Sequence, residues 1–316
     1  MKKRVFLGID TSNYTTSLAI CSEDGEILEN YKVLLPVKEG ENGLRQSDAV
    51  FAHVKNFQII SSYLREKHEE YEILAVGYSK YPRDVENSYM PCFLVGRALA
   101  EVISSLYGLE LFEFSHQKGH VVAAIYSSKA EIDGDFIAFH VSGGTTEILL
   151  VKPNGVDYTI ELLGGSDDLH AGQAIDRIGV KMGLPFPAGK HIEVLALENN
   201  TKLPPVKISV NGFKCNMSGL ENLASKLYSE TSNKELTASY TLEFVYKTIS
   251  KLTENLRKKY PKHKIIYAGG VMSNTIIKGK ISDKFDEVYF AKPEFSTDNA
   301  SGVALLTLKH YFSKEK

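Results

Sequence analysis

The chain has 316 residues, which exceeds the size at which a single hydrophobic core usually stops growing, so the sequence predicts two lobes. Hydrophobic residues make up 43% and charged residues 24%, which excludes extensive disorder, and the net charge of -2 gives no global attraction to nucleic acid. The three cysteines are far apart and form no Cys-x-x-Cys pair, so they indicate neither a disulfide framework nor a thiolate metal site.

The N-terminal apolar segment, Val5 to Ile9, is interrupted at Asp10 and is too short for a secretory signal. No apolar run in the sequence approaches the length of a membrane span. The cysteine usage fits a reducing compartment. We therefore expect a cytoplasmic protein that does not enter a membrane.

The first predicted element is a hairpin that recurs later in the chain. Residues 6–20 align without a gap with residues 136–150, and both segments consist of a strand, a polar turn and a second strand. In the same register Asp24-Gly25 aligns with Asn154-Gly155, two dipeptides that favour type I′ turns because both central residues need a positive φ. The repeat predicts a duplicated α/β unit, and the alternative is two unrelated hairpins of similar composition.

The first turn of each copy, residues 11–16 and 142–146, is rich in serine, threonine and glycine. Small residues allow backbone N–H groups to approach an anion closely. Both turns are therefore candidate sites for the phosphates of a nucleotide.

Helices and further strands follow each hairpin. Apolar residues recur at helical spacing from Val50 to Leu64, Val54 included, and again from Leu242 to Leu256, which predicts two helices with these residues on the packing face. The apolar segments Ile73–Gly77 and Ile265–Gly270 predict buried strands that run into glycine turns.

Two histidines four residues apart, His116 and His120, fall on one face of a predicted helix, where both can bind one metal ion. A solvated helix start is the alternative. Gln117 stands where zinc peptidases with a His-Glu-x-x-His motif have their general base, so peptide hydrolysis is disfavoured. Asp298 is the candidate third ligand, with helix N-capping as its alternative role. Two histidines and one carboxylate suit Fe(II) or Zn.

A second group of polar residues follows glycine-rich turns. Asp176 lies on a predicted helix after Gly164-Gly165, where its carboxylate could accept hydrogen bonds from ribose hydroxyls. An ion pair of Asp176 with Arg177 or Lys181 is the alternative. Asn274 follows Gly269-Gly270 at a strand end, where close approach to a ligand and simple turning explain the glycines equally well.

Taken in chain order, these motifs resemble the tRNA threonylcarbamoyladenosine synthase catalytic-subunit family, once described as glycoprotease-like or O-sialoglycoprotein endopeptidase-like, within the actin-like ATPase superfamily. The resemblance covers almost the whole chain, and the eight motifs together are specific although each alone is not. They are Gly8-Ile9-Asp10-Thr11-Ser12, His116-x-x-x-His120, Val141-Ser142-Gly143-Gly144, Gly172-x-Ala174-x-Asp176, Pro187-x-Gly189, Ser218-Gly219-Leu220, Ala268-Gly269-Gly270-Val271 with Asn274, and Thr297-Asp298-Asn299.

The resemblance implies an α/β protein with the actin-like ATPase fold, a duplicated ribonuclease H-like architecture of two lobes with a nucleotide cleft between them. It implies an N-terminal lobe over residues 1–117, on which the C-terminal helix 301–316 packs back. The C-terminal lobe is expected over residues 118–300.

The resemblance also implies the ligands and the reaction. It implies that His116, His120 and Asp298 hold a divalent metal, Fe or Zn, and that the chain binds ATP or an adenylate. The implied reaction transfers threonylcarbamoyl from threonylcarbamoyl-adenylate to adenosine 37 of a tRNA, with the metal as a Lewis acid. No catalytic acid or base is assigned. The residues implied to contact the adenylate are His140, Val141, Ser142, Gly143, Gly144, Asp176, Gly189 and Asn274.

Several residues depart from the family pattern and indicate a divergent paralogous branch. Tyr14 and Thr15 stand where the family's first turn has two carboxylates, and residues 81–87 replace a Gly-Pro-Gly loop. Lys118, Gln173 and Glu221 replace a Glu, a Glu and a Lys of the family. Competing hypotheses are therefore a non-catalytic or regulatory nucleotide-binding paralogue, and a carbamoyltransferase or kinase with another acceptor. The expected partners are an adenine nucleotide, tRNA and a related subunit of the same superfamily.

Overall fold

The chain forms two compact units. The computed structural model describes residues 2–12, 14–36 and 44–314, so the predicted turn residue Asn13 lies outside the described residues. The first unit comprises residues 1–126, 153–159 and 298–316, and the second comprises residues 127–152 and 160–297. The lobe boundaries after residues 117 and 300 stay a prediction. None of the helices in the described part of the chain combines the length and the hydrophobicity that a membrane crossing requires.

The first unit is built on a five-stranded mixed sheet. Its strands are β1 (Lys3–Thr11), β2 (Thr15–Ser22), β3 (Ile27–Leu34), β4 (Tyr71–Tyr81) and β5 (Glu110–Ser115), in the order β3-β2-β1-β4-β5. Its helices are α1 (Gln46–Lys67), α2 (Phe93–Tyr107), α3 (His116–Ser128) and the last helix, α10 (Ser301–Lys314). The last two residues of α3 belong to the second unit. β1, β4 and β5 run parallel, so their carboxyl ends lie at one edge of the sheet.

Helix α10 packs closely against β1 and β4 through two glycines. A Cβ atom at Gly77 would clash with Thr307 Oγ1, and one at Gly8 would lie 2.6 Å from the carbonyl oxygen of Ala300. The predicted turn at Gly77 is wrong, because β4 continues to Tyr81 and the glycine instead makes room for the helix. The first core therefore lies between this sheet and α10.

The second unit contains a seven-stranded sheet. Its strands are β6 (Phe136–Val141), β7 (Thr146–Asn154), β8 (Asp157–Ser166), β9 (Ser209–Asn211), β10 (Lys214–Asn216), β11 (Ile265–Ala268) and β12 (Val288–Phe290), in the order β12-β11-β6-β7-β8-β10-β9. Its helices are α4 (Ala171–Lys181), α5 (Gly189–Glu198), α6 (Ser218–Thr231), α7 (Lys234–Lys259), α8 (Thr275–Lys284) and α9 (Pro293–Ser296), with a 3₁₀ turn at Gly270–Ser273. The predicted apolar face from Leu242 to Leu256 is buried on α7, which confirms that helix.

The two sheets share one topology. The order β3-β2-β1-β4-β5 corresponds to β8-β7-β6-β11-β12 in the second sheet. The first two strands of each copy pair antiparallel, and the later strands pair parallel in both sheets. The α/β class and the duplicated unit predicted from the repeat are thus confirmed.

The tight turns that end the two hairpins are not the predicted type I′ turns. Gly25 has a φ of +80° and Gly155 a φ of +62°, whereas Asp24 and Asn154 have no positive φ. The pairing of β2 with β3 shifts in register between Ile20 and Cys21, and Asn154 still belongs to β7. Each turn therefore needs the left-handed conformation only at its glycine.

Helix α1 packs through a partly polar face. Its buried residues include His53 and Asn56, whereas Val54, predicted on the packing face, is 51% exposed. That part of the prediction is wrong, because His53 Nδ1 lies 2.8 Å from Thr16 Oγ1, and Asn56 Nδ2 donates to the same oxygen at 3.0 Å. The bonds to Thr16, at the start of β2, offset the burial of Asn56 Nδ2 and of His53 Nδ1.

Candidate metal centre

Polar side chains meet at the carboxyl ends of β1 and β5 in the first unit. β1 ends with Asp10 and Thr11, whereas β5 ends at Ser115 and is followed at once by His116, the first residue of α3. His120 lies one turn further along α3, with its ring 4.3 Å from that of His116 between centroids. Ligand sites in α/β sheets usually lie at this edge of the strands.

Asp298 reaches the same edge because α10 crosses α3 at two glycines. A Cβ atom at Gly302 would clash with the carbonyl oxygen of Gly119, and one at Gly119 would lie 3.2 Å from Val303 Cγ2. The missing side chains let the two helices approach closely. Asp298 precedes α10 by three residues and is therefore held beside the histidines of α3.

Three potential ligand atoms converge at this point. His120 Nε2 lies 2.9 Å from His116 Nε2 and 3.1 Å from Asp298 Oδ1. His116 Nε2 lies 3.6 Å from the same carboxylate oxygen. All three atoms lie within 4.8 Å of one another, so the residues form a candidate metal site of two histidines and one aspartate. Their role as ligands stays a prediction.

Two further residues orient this cluster. Asp10 Oδ1 accepts a hydrogen bond from His116 Nδ1 at 2.8 Å, and Ser12 Oγ donates to Asp298 Oδ2 at 3.0 Å. A carboxylate bonded to the second ring nitrogen is typical of histidines that bind metal. The sequence placed Asp10 and Ser12 in the motif Gly8-Ile9-Asp10-Thr11-Ser12, and Ser12 in a candidate phosphate turn, but predicted no contact of either residue with the histidines or Asp298.

The cluster is built to hold positive charge. Burial alone would lower the pKa of His116, but the carboxylates of Asp10 and Asp298 outweigh burial and raise this pKa from 6.5 to about 10. Burial alone would raise the pKa of Asp298, but the neighbouring His116 and His120 hold it well below its usual value. The carboxylate is therefore ionised at neutral pH, and His116 of the metal-free protein carries a proton.

The alternative roles of the three residues fit the structure less well. Asn299 Oδ1 accepts a hydrogen bond from Ser301 N at 3.0 Å, so Asn299 supplies the cap of α10, and the Asp298 carboxylate faces Ser12 and the histidines. The side chains of His116 and His120 are only 17% and 10% exposed, unlike those of a solvated helix start.

The hydroxyl groups of the first turn are bonded within the first unit. Thr11 Oγ1 donates to the carbonyl oxygen of Cys92 at 3.0 Å and accepts from Gly96 N at 3.1 Å, which ties β1 to the start of α2. Thr16 Oγ1 bonds to α1 as described above. These side chains fix the strands around the cluster, and the expectation that this turn faces a phosphate stays a prediction.

In the second unit, the predicted adenylate residues begin at the carboxyl end of β6. His140 and Val141 end this strand, and Ser142, Gly143 and Gly144 form the turn that follows. Gly172 N, at the start of α4, donates to Ser142 O at 3.1 Å. A Cβ atom at Gly172 would lie 2.7 Å from the Cα of Gly143, so the helix start rests directly on the turn.

Asp176 lies one turn further along α4. Its Oδ1 atom accepts a hydrogen bond from Ala188 N at 2.7 Å, beside Gly189 at the start of α5, and burial raises the pKa of this carboxyl. The alternative partners of Asp176, Arg177 and Lys181, bond instead to Glu221. The structure thus brings Asp176 and Gly189 together.

Asn274 follows the 3₁₀ turn after β11. Its Oδ1 atom accepts a hydrogen bond from Ile277 N at 3.0 Å and caps α8. Gly269, ahead of the turn, has a φ of +101°, and a Cβ atom there would clash with the carbonyl oxygen of Val141. Close packing of β11 on β6 therefore explains this glycine. Adenylate contact by these residues stays a prediction.

Comparison with known proteins decides the family. The sequence model of the TsaD family, described as tRNA N6-adenosine threonylcarbamoyltransferase, matches residues 89–305. The chain belongs to this family. The matched segment contains His116, His120 and Asp298. Asp10 and Ser12 precede it and lie outside the match.

Individual relatives and structures agree with the family and the fold. The tRNA N6-adenosine threonylcarbamoyltransferase of Streptococcus suis (strain 05ZYH33) is 29% identical over 98% of this chain and 94% of its own length. The enzyme of the same name from Thermosipho africanus (strain TCF52B) is 30% identical over 97% of this chain and 94% of its own length. The crystal structure of full-length HypF in its phosphate- and nucleotide-bound form superposes with a TM-score of 0.61 at 12% identity, covering 100% of this chain and 57% of HypF. This likeness concerns the fold alone, and it confirms the predicted actin-like ATPase fold of this TsaD family member.

Proposed function

We propose that the chain is a metal-dependent transferase that moves threonylcarbamoyl from threonylcarbamoyl-adenylate to the N6 amine of adenosine 37 of a tRNA. The observation that carries the proposal is the convergence of His116 Nε2, His120 Nε2 and Asp298 Oδ1 within 4.8 Å of one another. Membership of the tRNA N6-adenosine threonylcarbamoyltransferase family supports the same reaction.

The donor set fits a divalent transition metal, and we assign Fe or Zn. Two imidazole nitrogens and one carboxylate oxygen suit both metals, and three protein ligands leave coordination positions open. Asp10 supports the assignment, because its bond to His116 Nδ1 leaves Nε2 of that ring as the ligand atom. When bound, the metal supplies a Lewis acid that polarises the transferred carbamoyl group.

The charges around the cluster also favour a cation. Asp10 is 1% exposed and Asp298 has a strongly lowered pKa, so two carboxylates stay ionised close together in a buried setting. In the metal-free protein the proton on His116 offsets part of this negative charge. A divalent cation would replace that proton, because metal binding to histidine requires the neutral imidazole.

We assign the binding of ATP or an adenylate to residues of the second unit. Among the residues that the structure describes, nothing lies within 4 Å of the place of a Cβ atom at Gly143, so a phosphate can approach the backbone of the Ser142–Gly144 turn. Asp176 uses Oδ1 for Ala188 N, and its other oxygen is assigned to a ribose hydroxyl. Asn274 uses Oδ1 as a helix cap, and its amide nitrogen is left to donate to the ligand. His140, Val141 and Gly189 flank these groups.

A binding-only paralogue is the competing hypothesis, and one observation favours it. Tyr14 and Thr15 provide no carboxylate in the first turn, and Asp10, the acid that remains at its start, is buried against His116. We therefore assign no proton acceptor for the attacking amine. The retained cluster of two histidines and one aspartate favours chemistry over simple binding.

The test supplies purified protein with threonylcarbamoyl-adenylate and unmodified tRNA, alone and with the related subunit of the same superfamily that we expect as its partner. We expect modified adenosine at position 37 and about one metal ion per chain. The variants His116→Ala and Asp298→Ala should lose both the metal and the transfer activity. His68→Ala is the matched control, because His68 follows α1 at an exposed position and should retain both.

Two results would contradict the proposal in different ways. A wild-type protein that binds metal and adenylate but leaves tRNA unmodified, beside an active relative as control, would support the regulatory paralogue. Transfer activity that persists in metal-free Asp298→Ala would instead show that the cluster is not the site of the reaction.

A further inference from the structure

Lys118 lies on α3 between the two histidines but points away from them. Residues two positions apart on a helix are separated by about 200° around the axis, so Lys118 occupies the face opposite to His116 and His120. Its ammonium lies 2.7 Å from Asp157 Oδ2 and 3.1 Å from Asp84 Oδ2. A single cation therefore joins three segments of the first unit, namely α3, the connection after β4 and the tip of the β7–β8 hairpin.

The connection after β4 is bonded at two more points to the junction of β5 and α3. Gln117 N donates to the carbonyl oxygen of Pro82 at 3.0 Å, and Ser115 Oγ donates to Asp84 Oδ2 at 3.1 Å. Lys118 N in turn donates to Ser115 Oγ at 3.3 Å. Asp84 thus binds both the ammonium and the hydroxyl at the start of the helix that carries the histidines.

This arrangement differs from an ordinary surface ion pair. Exposed pairs contribute little, because water screens them and flexible side chains lose entropy. The side chain of Lys118 is only 15% exposed, and its two partners are 33% and 27% exposed. Removal of the ammonium would leave the carboxylates of Asp84 and Asp157 partly buried and without their shared cation, and each would repel the other.

We propose that Lys118 is a positioning residue, which fixes α3 against Asp84 and Asp157 so that both histidine Nε2 atoms keep their place beside Asp298. The histidines and the aspartate come from separate elements, so a small rotation of α3 changes the distances within the cluster. The ammonium of Lys118 bonds to Asp84 and Asp157 and not to the cluster, so its effect passes through the helix. The activity consequence rests on the proposed function, whereas the effect on metal affinity does not.

The test measures Co²⁺ binding to the metal-free full chain by competition with a chelator, together with the visible absorption of the Co²⁺ form. We expect Lys118→Met to weaken Co²⁺ binding about 10- to 100-fold and to change the absorption, the range typical for residues that orient ligands. Lys118→Arg keeps the cation and should lose no more than about threefold. Lys152→Met is the matched control, because the Lys152–Glu161 pair lies on the same β7–β8 hairpin as Asp157 but its side chains are 45% and 58% exposed.

The outcomes separate this inference from the proposed function. Unchanged Co²⁺ affinity and absorption in Lys118→Met, or equal losses in Lys118→Met and Lys118→Arg, would overturn the positioning role. If Lys118→Met fails to fold, Asp84→Asn tests the same contact and should also weaken Co²⁺ binding. A wild-type protein that binds Co²⁺ but does not modify tRNA would contradict the proposed function and leave the positioning role standing.

Discussion

The two duplicated sheets differ at the edge where their parallel strands end. Side chains form this edge in the first unit, and backbone forms it in the second. In the first unit the edge consists of side chains, since Asp10, Ser12, His116, His120 and Asp298 bond to one another. In the second unit the corresponding edge is a backbone turn, Ser142–Gly144, on which Gly172 rests without a side chain. One topology thus gives one edge that holds charge and another that leaves backbone accessible.

This difference determines how each edge can fail. The side-chain edge joins residues that are far apart in the sequence, since Ser12 and Asp298 are separated by 286 in residue number. It should respond to shifts of whole helices and to protonation. The backbone edge depends on small gaps between Gly172, Gly143 and Ser142, and should respond to an added methyl group.

The largest expected effect is that of Gly302→Ala, which breaks the side-chain edge. The new Cβ atom would clash with the backbone carbonyl of Gly119, so α10 must move away from α3 and take Asp298 with it. We expect a loss of about 1–3 kcal/mol in the free energy of unfolding and a decrease of about 100-fold in metal affinity. Chelator competition and thermal unfolding measure both quantities.

Gly279→Ala is the matched control for that substitution. Gly279 also lies within a helix, but in the described part of the chain no residue beyond its own helix turn lies within 4 Å of the position of its Cβ atom. This control should bind metal like the wild type, with equal or greater stability. Normal metal affinity in Gly302→Ala would mean that the helix crossing does not set the position of Asp298.

A second substitution, Gly172→Ala, should break the backbone edge alone. Its Cβ atom would lie 2.7 Å from Ser142 O and from the Cα of Gly143, so the turn must shift. We expect calorimetry to show roughly tenfold weaker binding of AMP, equivalent to about 1.4 kcal/mol, with metal affinity unchanged. Gly219→Ala, at the same position of α6 with its nearest neighbour 3.9 Å away, is the control. If the substitution leaves AMP binding unaltered, the Ser142–Gly144 turn is not part of the adenylate site.

The last expected effect is a dependence of stability on pH, which sharpens the contrast because it belongs to the side-chain edge. The raised pKa of His116 means that its protonation stabilises the metal-free protein fully below about pH 6.5, and that this contribution is lost as the pH rises toward 10. Between pH 7 and 8.5 the free energy of unfolding should therefore fall by up to about 1.4 kcal/mol per pH unit. Urea unfolding at several pH values measures the slope.

The matching variant is His116→Gln, which removes the titrating group and should flatten the slope. His68→Gln, at an exposed position after α1, should keep the wild-type slope. Equal slopes in the wild type and in His116→Gln would show that His116 is not the group that couples folding to pH in this range.

Patterns of spacing were enough to predict much of the fold. The helix from Leu242 to Leu256 follows from its apolar period, and the repeat of residues 6–20 at 136–150 predicts the shared sheet topology. The spacing of His116 and His120 predicts that they share a helix face. Their meeting with Asp298 depended on the family resemblance, because no local pattern links residues 178 positions apart.

Other features leave no local trace in the sequence. Gly77 suggested a turn, yet it lies within β4 beneath α10. In a sequence, a glycine that a turn requires cannot be distinguished from one that makes room for a helix. The contact of Lys118 with Asp84 and Asp157 joins charges from three segments, and each charge alone resembles an ordinary surface residue. No local pattern indicated the contact of Asp10 with His116 either, because the two residues are 106 positions apart.

The crossing of α3 and α10 also determines when the cluster can exist during synthesis. Asp10, His116 and His120 are translated long before Asp298, and the glycine contact that brings Asp298 to them requires α10 to be made and docked. A ribosome-bound chain that ends before Asp298 therefore has the two histidines and their supporting acid but not the carboxylate that completes the set. If the proposed metal site is correct, metal loading at full affinity requires that α10 has been synthesised and has docked on the sheet.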